Sequence, residues 1–225
     1  HGTLESHAAL VARVRQASQR LGVVTGILVD CPGPKRRSGG MREAFGEHLR
    51  FALSQEATFA ALSFISSAEQ VREVRAMLSE WGASIPLIVK IEDAQALAEA
   101  DAIMDVCDGI MVARGDLGLK ISIEKVPLAQ KSLVRLANLR GKPVIVATEM
   151  LESMVTSPTP TRAEATDVAN AVLDGADAVM LSEETAIGQH PVIVVETMAR
   201  IVTEAETAYP YGETLGNMGE RMSPD

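Results

Sequence analysis

Along the 225 residues, apolar runs rich in β-branched side chains alternate with segments whose apolar positions recur every three to four residues. The runs cover 23–30 (VVTGILVD), 58–66 (TFAALSFIS), 85–92 (IPLIVKIE), 108–114 (DGIMVAR), 142–150 (KPVIVATEM) and 177–184 (DAVMLSEE), and each predicts a strand. Helical period predicts helices over 7–22, 67–82, 94–106, 125–141, 162–175 and 191–208. In the second of these, Ser67 and Gln70 form a capping-box pattern and Gly82 a stop signal. Strands that are apolar throughout and separated by helices of this length pair in parallel through right-handed crossovers, so the class is α/β, a doubly wound sheet or a β/α barrel. Two stretches break the rhythm. Residues 35–46 (KRRSGGMREAFG) read as a charged, glycine-bearing connection with neither period, and the segment after about Tyr209 reads as a disordered tail.

Composition narrows the functional classes. A hydrophobic content of 47% over this length suits one large domain with a sizeable core. The formal net charge of −9 leaves no basic stripe for nucleic acid or an anionic bilayer, and aromatics at 3% give no stacking platform for bases. Cys31 and Cys107 lie far apart without metal-ligand spacing, and no signal sequence or long apolar run is visible; free thiols in a reducing cytoplasm are expected. The start, His1-Gly2-Thr3, has no initiator Met and reads as a beginning cut from something longer.

Chemistry concentrates where strands end, because in a β/α barrel that rim carries the loops and collects the helix N-termini. The strand ends carry Asp30, then Lys90 with Glu92, then Arg114-Gly115-Asp116, then Thr148 with Glu149, then Ser182, Glu183 and Glu184. Lys90 and Glu92 are two apart and share a strand face, so they form either a structural ion pair or two arms of one site. Gly115 allows backbone N–H groups to converge on an anion and Asp116 offers a hard oxygen; the plainer alternative is an Asp-bearing turn capping a helix. Glu92 with Asp116 would suit Mg²⁺, which takes its remaining ligands from water and an oxo-acid substrate. Thr148 is placed to donate to a substrate carboxylate or to be satisfied by local backbone. Arg36 and Arg37 suit phosphate or a solvated loop. His1, His7, His48 and His190 show no ligand spacing and read as surface residues.

The blocks LIVKIEDAQAL, DGIMVARGDLG, EKVPLAQK, GKPVIVATEMLESM and PTPTRAEATDVANAVLDGADAVMLSEETAIGQHP together resemble the barrel domain of pyruvate kinases, in family order, over roughly residues 1–207. The resemblance implies a TIM-type (β/α)8 barrel with six of its eight βα units in this chain: 1–40 an N-terminal barrel helix and strand, 41–207 the remaining units, 208–225 a tail. It implies phosphoryl transfer from phosphoenolpyruvate to ADP, giving pyruvate and ATP. Lys90 would stabilise charge on the transferring group and the enolate, while Glu92 and Asp116 would hold Mg²⁺ or Mn²⁺. Gly115, Asp116 and the Thr148 hydroxyl would bind the substrate carboxylate, His1 and Arg37 the nucleotide, and Ser182 with Glu184 would serve protonation of the enolate. Asp30 matches an acid of the family's monovalent-cation site. Lys35 stands where potassium-dependent members carry Glu, and its fixed ammonium implies that K⁺ is not required. Asp93, where the family more often has Asn, Ser or Thr, adds negative charge expected to tune metal affinity. A cytoplasmic homo-oligomer is implied.

Departures from the family pattern are also visible. His1-Gly2 resembles the end of the family's NFSHG stretch, so two strands and a substrate-binding Arg would lie upstream; the lid after the third strand is reduced to RSGGMREAFG, and a short tail stands where a regulatory domain is expected. Two other classes therefore stay open: a non-catalytic barrel fragment or assembly partner, and a Mg²⁺-dependent aldolase or lyase of 2-oxo acids. Lys90 speaks against the last, since such sites usually favour Arg at the enolate oxygen.

Overall fold

The computed structural model describes residues 2–33 and 40–209. They fall into two compact units, His1–Gly109 and Ile110–Asp225. In the first, α1 (Leu4–Leu21) precedes β1 (Leu28–Cys31), α2 (Met41–Ser54), β2 (Phe59–Leu62), α3 (Ala68–Glu80), β3 (Leu87–Ile91), α4 (Ala94–Ala98) and α5 (Ala100–Val106). The three strands are parallel in sequence order, with Leu28 opposite Phe59 and Ala60 opposite Leu87. In the second, β4 (Gly109–Ala113) runs straight into α6 (Arg114–Lys120), then α7 (Val126–Leu139), β5 (Val144–Ala147), α8 (Arg162–Asp174), β6 (Ala178–Met180), α9 (Glu183–Ala186) and α10 (Pro191–Glu206). β5 lies parallel to both β4 and β6, with Ile110 opposite Val144 and Ile145 opposite Ala178.

Each of the six apolar runs holds one strand, shorter than the run, and β1 alone reaches one residue past its run, to Cys31. The cores follow from the patterning. Every residue of β4 is buried, as a strand covered on both faces requires. Phe45 and Leu49 of α2 are fully buried over β1 and β2, and α7 buries Leu133, Val134 and Ala137. The Ser67–Gln70 capping box is present, and α1 stops at Gly22, whose φ of 65° suits glycine.

One local device recurs at strand starts. Thr58 donates its N–H to Ile27 O at 2.7 Å while its hydroxyl accepts the Ile27 N–H at 3.0 Å. Asp108 does the same to Leu87, with N–H to O at 2.9 Å and the Leu87 N–H on Oδ2 at 2.7 Å. Asp177 repeats it on Val144, at 3.0 Å and 2.8 Å. A short polar residue thus pins both backbone groups at the start of an earlier strand, and for Thr58 and Asp177 it stands just before the strand that pairs there, β2 on β1 and β6 on β5. This fixes register, where a slip by one residue would turn buried side chains outward.

Three expectations are corrected. The stretch read as a connection over 35–46 is helical from Met41, because Met41, Phe45 and Leu49 at four-residue spacing are buried under a start masked by charges and glycines. The single helix expected over 94–106 is two helices meeting at Glu99. The turn expected at Arg114-Gly115-Asp116 is the first turn of α6.

Candidate active site

In the first unit, parallel pairing brings the ends of β1, β2 and β3 to one side, and polar groups follow there. Lys90 Nζ donates to Asp30 Oδ2 at 3.1 Å and to Ser63 Oγ at 3.0 Å, and pairs with Glu92 Oε1 at 2.9 Å. An ammonium has three N–H donors, so these three acceptors match its full set. The Lys90 side chain is 13% exposed and that of Glu92 2%. Burial is the largest single influence on the Lys90 pKa and pulls it down. The charges and hydrogen bonds of Asp30 and Glu92 together outweigh it, so the net shift is upward and the ammonium keeps its charge through neutral pH.

Ser63 is missing from the residues picked out by sequence. It is buried, accepts from Lys90 and donates to Asp30 Oδ1 at 3.0 Å. The available signal was its position just past β2, where the other strands carry their polar groups. The next residue, Phe64, adopts φ 57° and donates its N–H to Glu92 Oε2 at 2.6 Å. Gly33 makes room for this bend, since a Cβ there would lie 2.2 Å from the Ser63 carbonyl oxygen. Asp93 holds local structure together, capping α4 by accepting the Ala96 N–H at 2.7 Å and taking the Ser66 hydroxyl at 2.9 Å.

In the second unit, Gly115 donates its N–H to Thr148 Oγ1 at 2.7 Å, and that hydroxyl donates to Ala147 O at 2.6 Å. Of the two alternatives for Thr148, the structure shows the hydroxyl satisfied by backbone, accepting from Gly115 and donating to Ala147. Asp116 is half-buried in the first turn of α6. Thr148 and Glu149 hold φ of 68° and 53°, a left-handed conformation that a β-branched residue rarely adopts. Buried Arg114 braces that bend: Nε and Nη2 donate to Thr148 O at 3.2 and 2.7 Å, Nη2 also to Glu149 O at 3.0 Å, and Nη1 pairs with Asp167 at 2.6 Å.

Glu184 is fully buried, accepting the Leu151 N–H at 3.1 Å and the Ser182 N–H at 2.6 Å, so it ties the segments after β5 and β6. The Ser182 hydroxyl oxygen is buried and has no hydrogen-bond partner among the described residues. The pKa of nearby Glu152 is raised, first by partial burial and then by the charges of Glu184, Glu183, Glu149 and Glu164.

His1, Lys35, Arg36, Arg37 and the tail beyond Tyr209 lie outside the described residues. Two histidines depart from a surface role: His7 meets Phe51 edge-on at 6.4 Å, and His48 buries Nδ1. Among the described residues, no cluster of three or more His, Cys, Asp and Glu is arranged for a metal, and no helix is long and apolar enough to cross a membrane.

The family model described as the barrel domain of pyruvate kinase matches residues 40–195. The chain is similar to a pyruvate kinase of Dictyostelium discoideum, 54% identical over 158 residues, covering 70% of this chain and 31% of that protein. Pyruvate kinase 2 of Synechocystis sp. is 48% identical over 178 residues, covering 79% of this chain and 30% of its own length. The pyruvate kinase of Corynebacterium efficiens is 51% identical over 179 residues, covering 80% and 38%. The chain spans about a third of the length of the curated relatives it matches.

Proposed function

The chain belongs to the pyruvate kinase family, and on that premise we propose that it carries a large part of a site for Mg²⁺-dependent phosphoryl transfer from phosphoenolpyruvate to ADP, giving pyruvate and ATP. The observation that carries this reading is the Lys90 ammonium, charged, nearly buried and held by Asp30, Ser63 and Glu92 at the ends of parallel strands. A positioned cation of this kind stabilises charge developing on a transferring phosphoryl group and an enolate oxygen, one of its three N–H groups passing from a protein acceptor to the substrate.

Glu92 and Asp116 are the proposed metal ligands. Oxygen-only carboxylate donors, with Glu92 anchored by the Phe64 N–H, fit Mg²⁺ or Mn²⁺, hard ions that draw further ligands from water and substrate. Bound there, the ion would supply positive charge to the substrate oxygens. The α6 backbone at Gly115 and Asp116, with the Thr148 hydroxyl, would bind the substrate carboxylate, the hydroxyl turning its O–H from the Ala147 carbonyl to the ligand. Ser182 would move the proton, with Glu184 acting through the backbone it holds. His1 and Arg37 would meet the nucleotide phosphates. Lys35 in place of a K⁺ ion would remove the potassium requirement. On the same premise the protein is a cytoplasmic homo-oligomer.

The test is ADP-dependent pyruvate formation in a lactate-dehydrogenase-coupled assay, with Lys90→Met as the control and Na⁺ and K⁺ compared at equal ionic strength. Activity lost in the variant and insensitive to K⁺ is expected. Binding of Mg²⁺ and oxalate without turnover would favour a non-catalytic assembly partner, and retro-aldol activity without nucleotide would favour a lyase.

A further inference from the structure

We propose that Ser63 is a positioning residue for Lys90, and that the bend formed by Ser63 and Phe64 against Gly33 fixes where the Lys90 ammonium sits relative to Glu92. This rests on the phosphoryl-transfer reading for its purpose, and on geometry alone for its content. A lysine ammonium on four methylenes is intrinsically mobile, so a fixed position requires acceptors on more than one side. Asp30 is one such acceptor, but its side chain is 55% exposed, and an exposed carboxylate is a soft anchor. Glu92 follows Lys90 by two residues and alone sets only the distance between them. Ser63 comes from a different strand end, is 4% exposed, and spends its single O–H on Asp30 Oδ1 while accepting from Lys90. The hydroxyl therefore orients Asp30 and Lys90 together.

The bend makes this a rigid contact. Ser63 donates its N–H to Cys31 O at 3.2 Å, which ties the end of β2 to β1. Phe64 then turns into the left-handed region at φ 57°, and its N–H reaches Glu92 Oε2. One dipeptide thus holds the ammonium with its side chain and the carboxylate with its backbone. The bend needs a residue without Cβ opposite it, because the Ser63 carbonyl would sit 2.2 Å from a Cβ at position 33. A half-exposed phenylalanine in the left-handed region carries backbone strain, which fits a bend kept for what it positions.

The test follows the Lys90 ammonium directly by ¹⁵N NMR on the full chain at one fixed, mildly acidic pH, with Lys90→Arg assigning the signal. In the wild type the NH₃⁺ signal is expected to be ordered and slow to exchange with water. Ser63→Ala, folded by circular dichroism, should exchange roughly tenfold faster, the factor for one lost hydrogen bond to a charged group. Ser63→Thr, which keeps the hydroxyl, should stay close to the wild type, and Gly33→Ala, which touches neither Lys90 nor Glu92, should loosen the signal as Ser63→Ala does. Unchanged order and exchange in Ser63→Ala overturns the proposal, as does equal loosening in Ser63→Thr. If Ser63→Ala unfolds, Gly33→Ala decides in the same way. Pyruvate formation by the wild type is scored separately, so a chain that makes none while showing the NMR pattern loses the kinase reading and keeps the positioning role.

Discussion

The Thr148 hydroxyl accepts the backbone N–H of Gly115 at 2.7 Å while Thr148 itself sits at φ 68°. The hydroxyl and the left-handed backbone have opposite energetic signs, and substitution separates them. Thr148→Ala loses the hydrogen bond and keeps the strain, whereas Thr148→Gly loses the bond and releases the strain. Thr148→Gly should therefore be the more stable of the two by about 1 kcal/mol in urea denaturation. The reverse order would mean that the bend is unstrained.

Arg114 presents its guanidinium fork to the carbonyls of Thr148 and Glu149 and to Asp167. Lysine has no planar fork, so Arg114→Lys leaves buried acceptors unmet and should cost about 3 kcal/mol in guanidinium denaturation. Asp167 is 38% exposed, and Asp167→Asn should cost only about 1 kcal/mol or less. Equal losses would show that the ion pair, not the carbonyl clamp, carries the effect.

Glu164 gathers the N–H and hydroxyl of both Ser153 and Thr161 at 2.6 to 2.8 Å. Partial burial raises its pKa more than any other single influence, but the bonds from Ser153 and Thr161 together outweigh that and the net shift is downward. The folded value lies below the unfolded 4.5, so the stabilisation is present above that pH and is lost as pH falls through the folded value. Glu164→Gln should be less stable by about 1–2 kcal/mol at neutral pH. The gap to wild type should close in acid, as read from urea midpoints across pH 2 to 7.

The Cys31 thiol is pushed up to about 12, first by burial and then by the Asp30 charge beside it. The thiolate is the reactive form, so Cys31 should resist Ellman's reagent at pH 8 in the native protein and react once urea unfolds it. Cys107 is also buried. Prompt native reaction at Cys31, located by peptide mass mapping, would contradict the packing around β1.

Sequence periodicity anticipated all six strands and most helices because each depends on neighbours within a few positions. The shared side of Lys90 and Glu92 followed from their spacing alone. Ser63 did not, because its partners Asp30 and Lys90 lie 33 and 27 residues away in the chain and only strand pairing unites them. The bend at Thr148 was hidden for a different reason: threonine favours extended backbone, and the Arg114 brace that overrides this preference is itself a product of folding. The start of α2 was obscured by the basic, glycine-bearing run before it, although Met41, Phe45 and Leu49 carried the helical period.

The pinning residues Thr58, Asp108 and Asp177 close chain segments of 31, 21 and 33 residues with the same pair of bonds. Alignment at these points is thereby uncoupled from the length of the intervening helix and most of its loops, since both bonds come from the last residue before the next strand. Crossovers in this protein can lengthen or shorten by insertion and deletion while the strands keep their alignment, so the polar groups at the strand ends inherit their placement from the opposite end of the sheet.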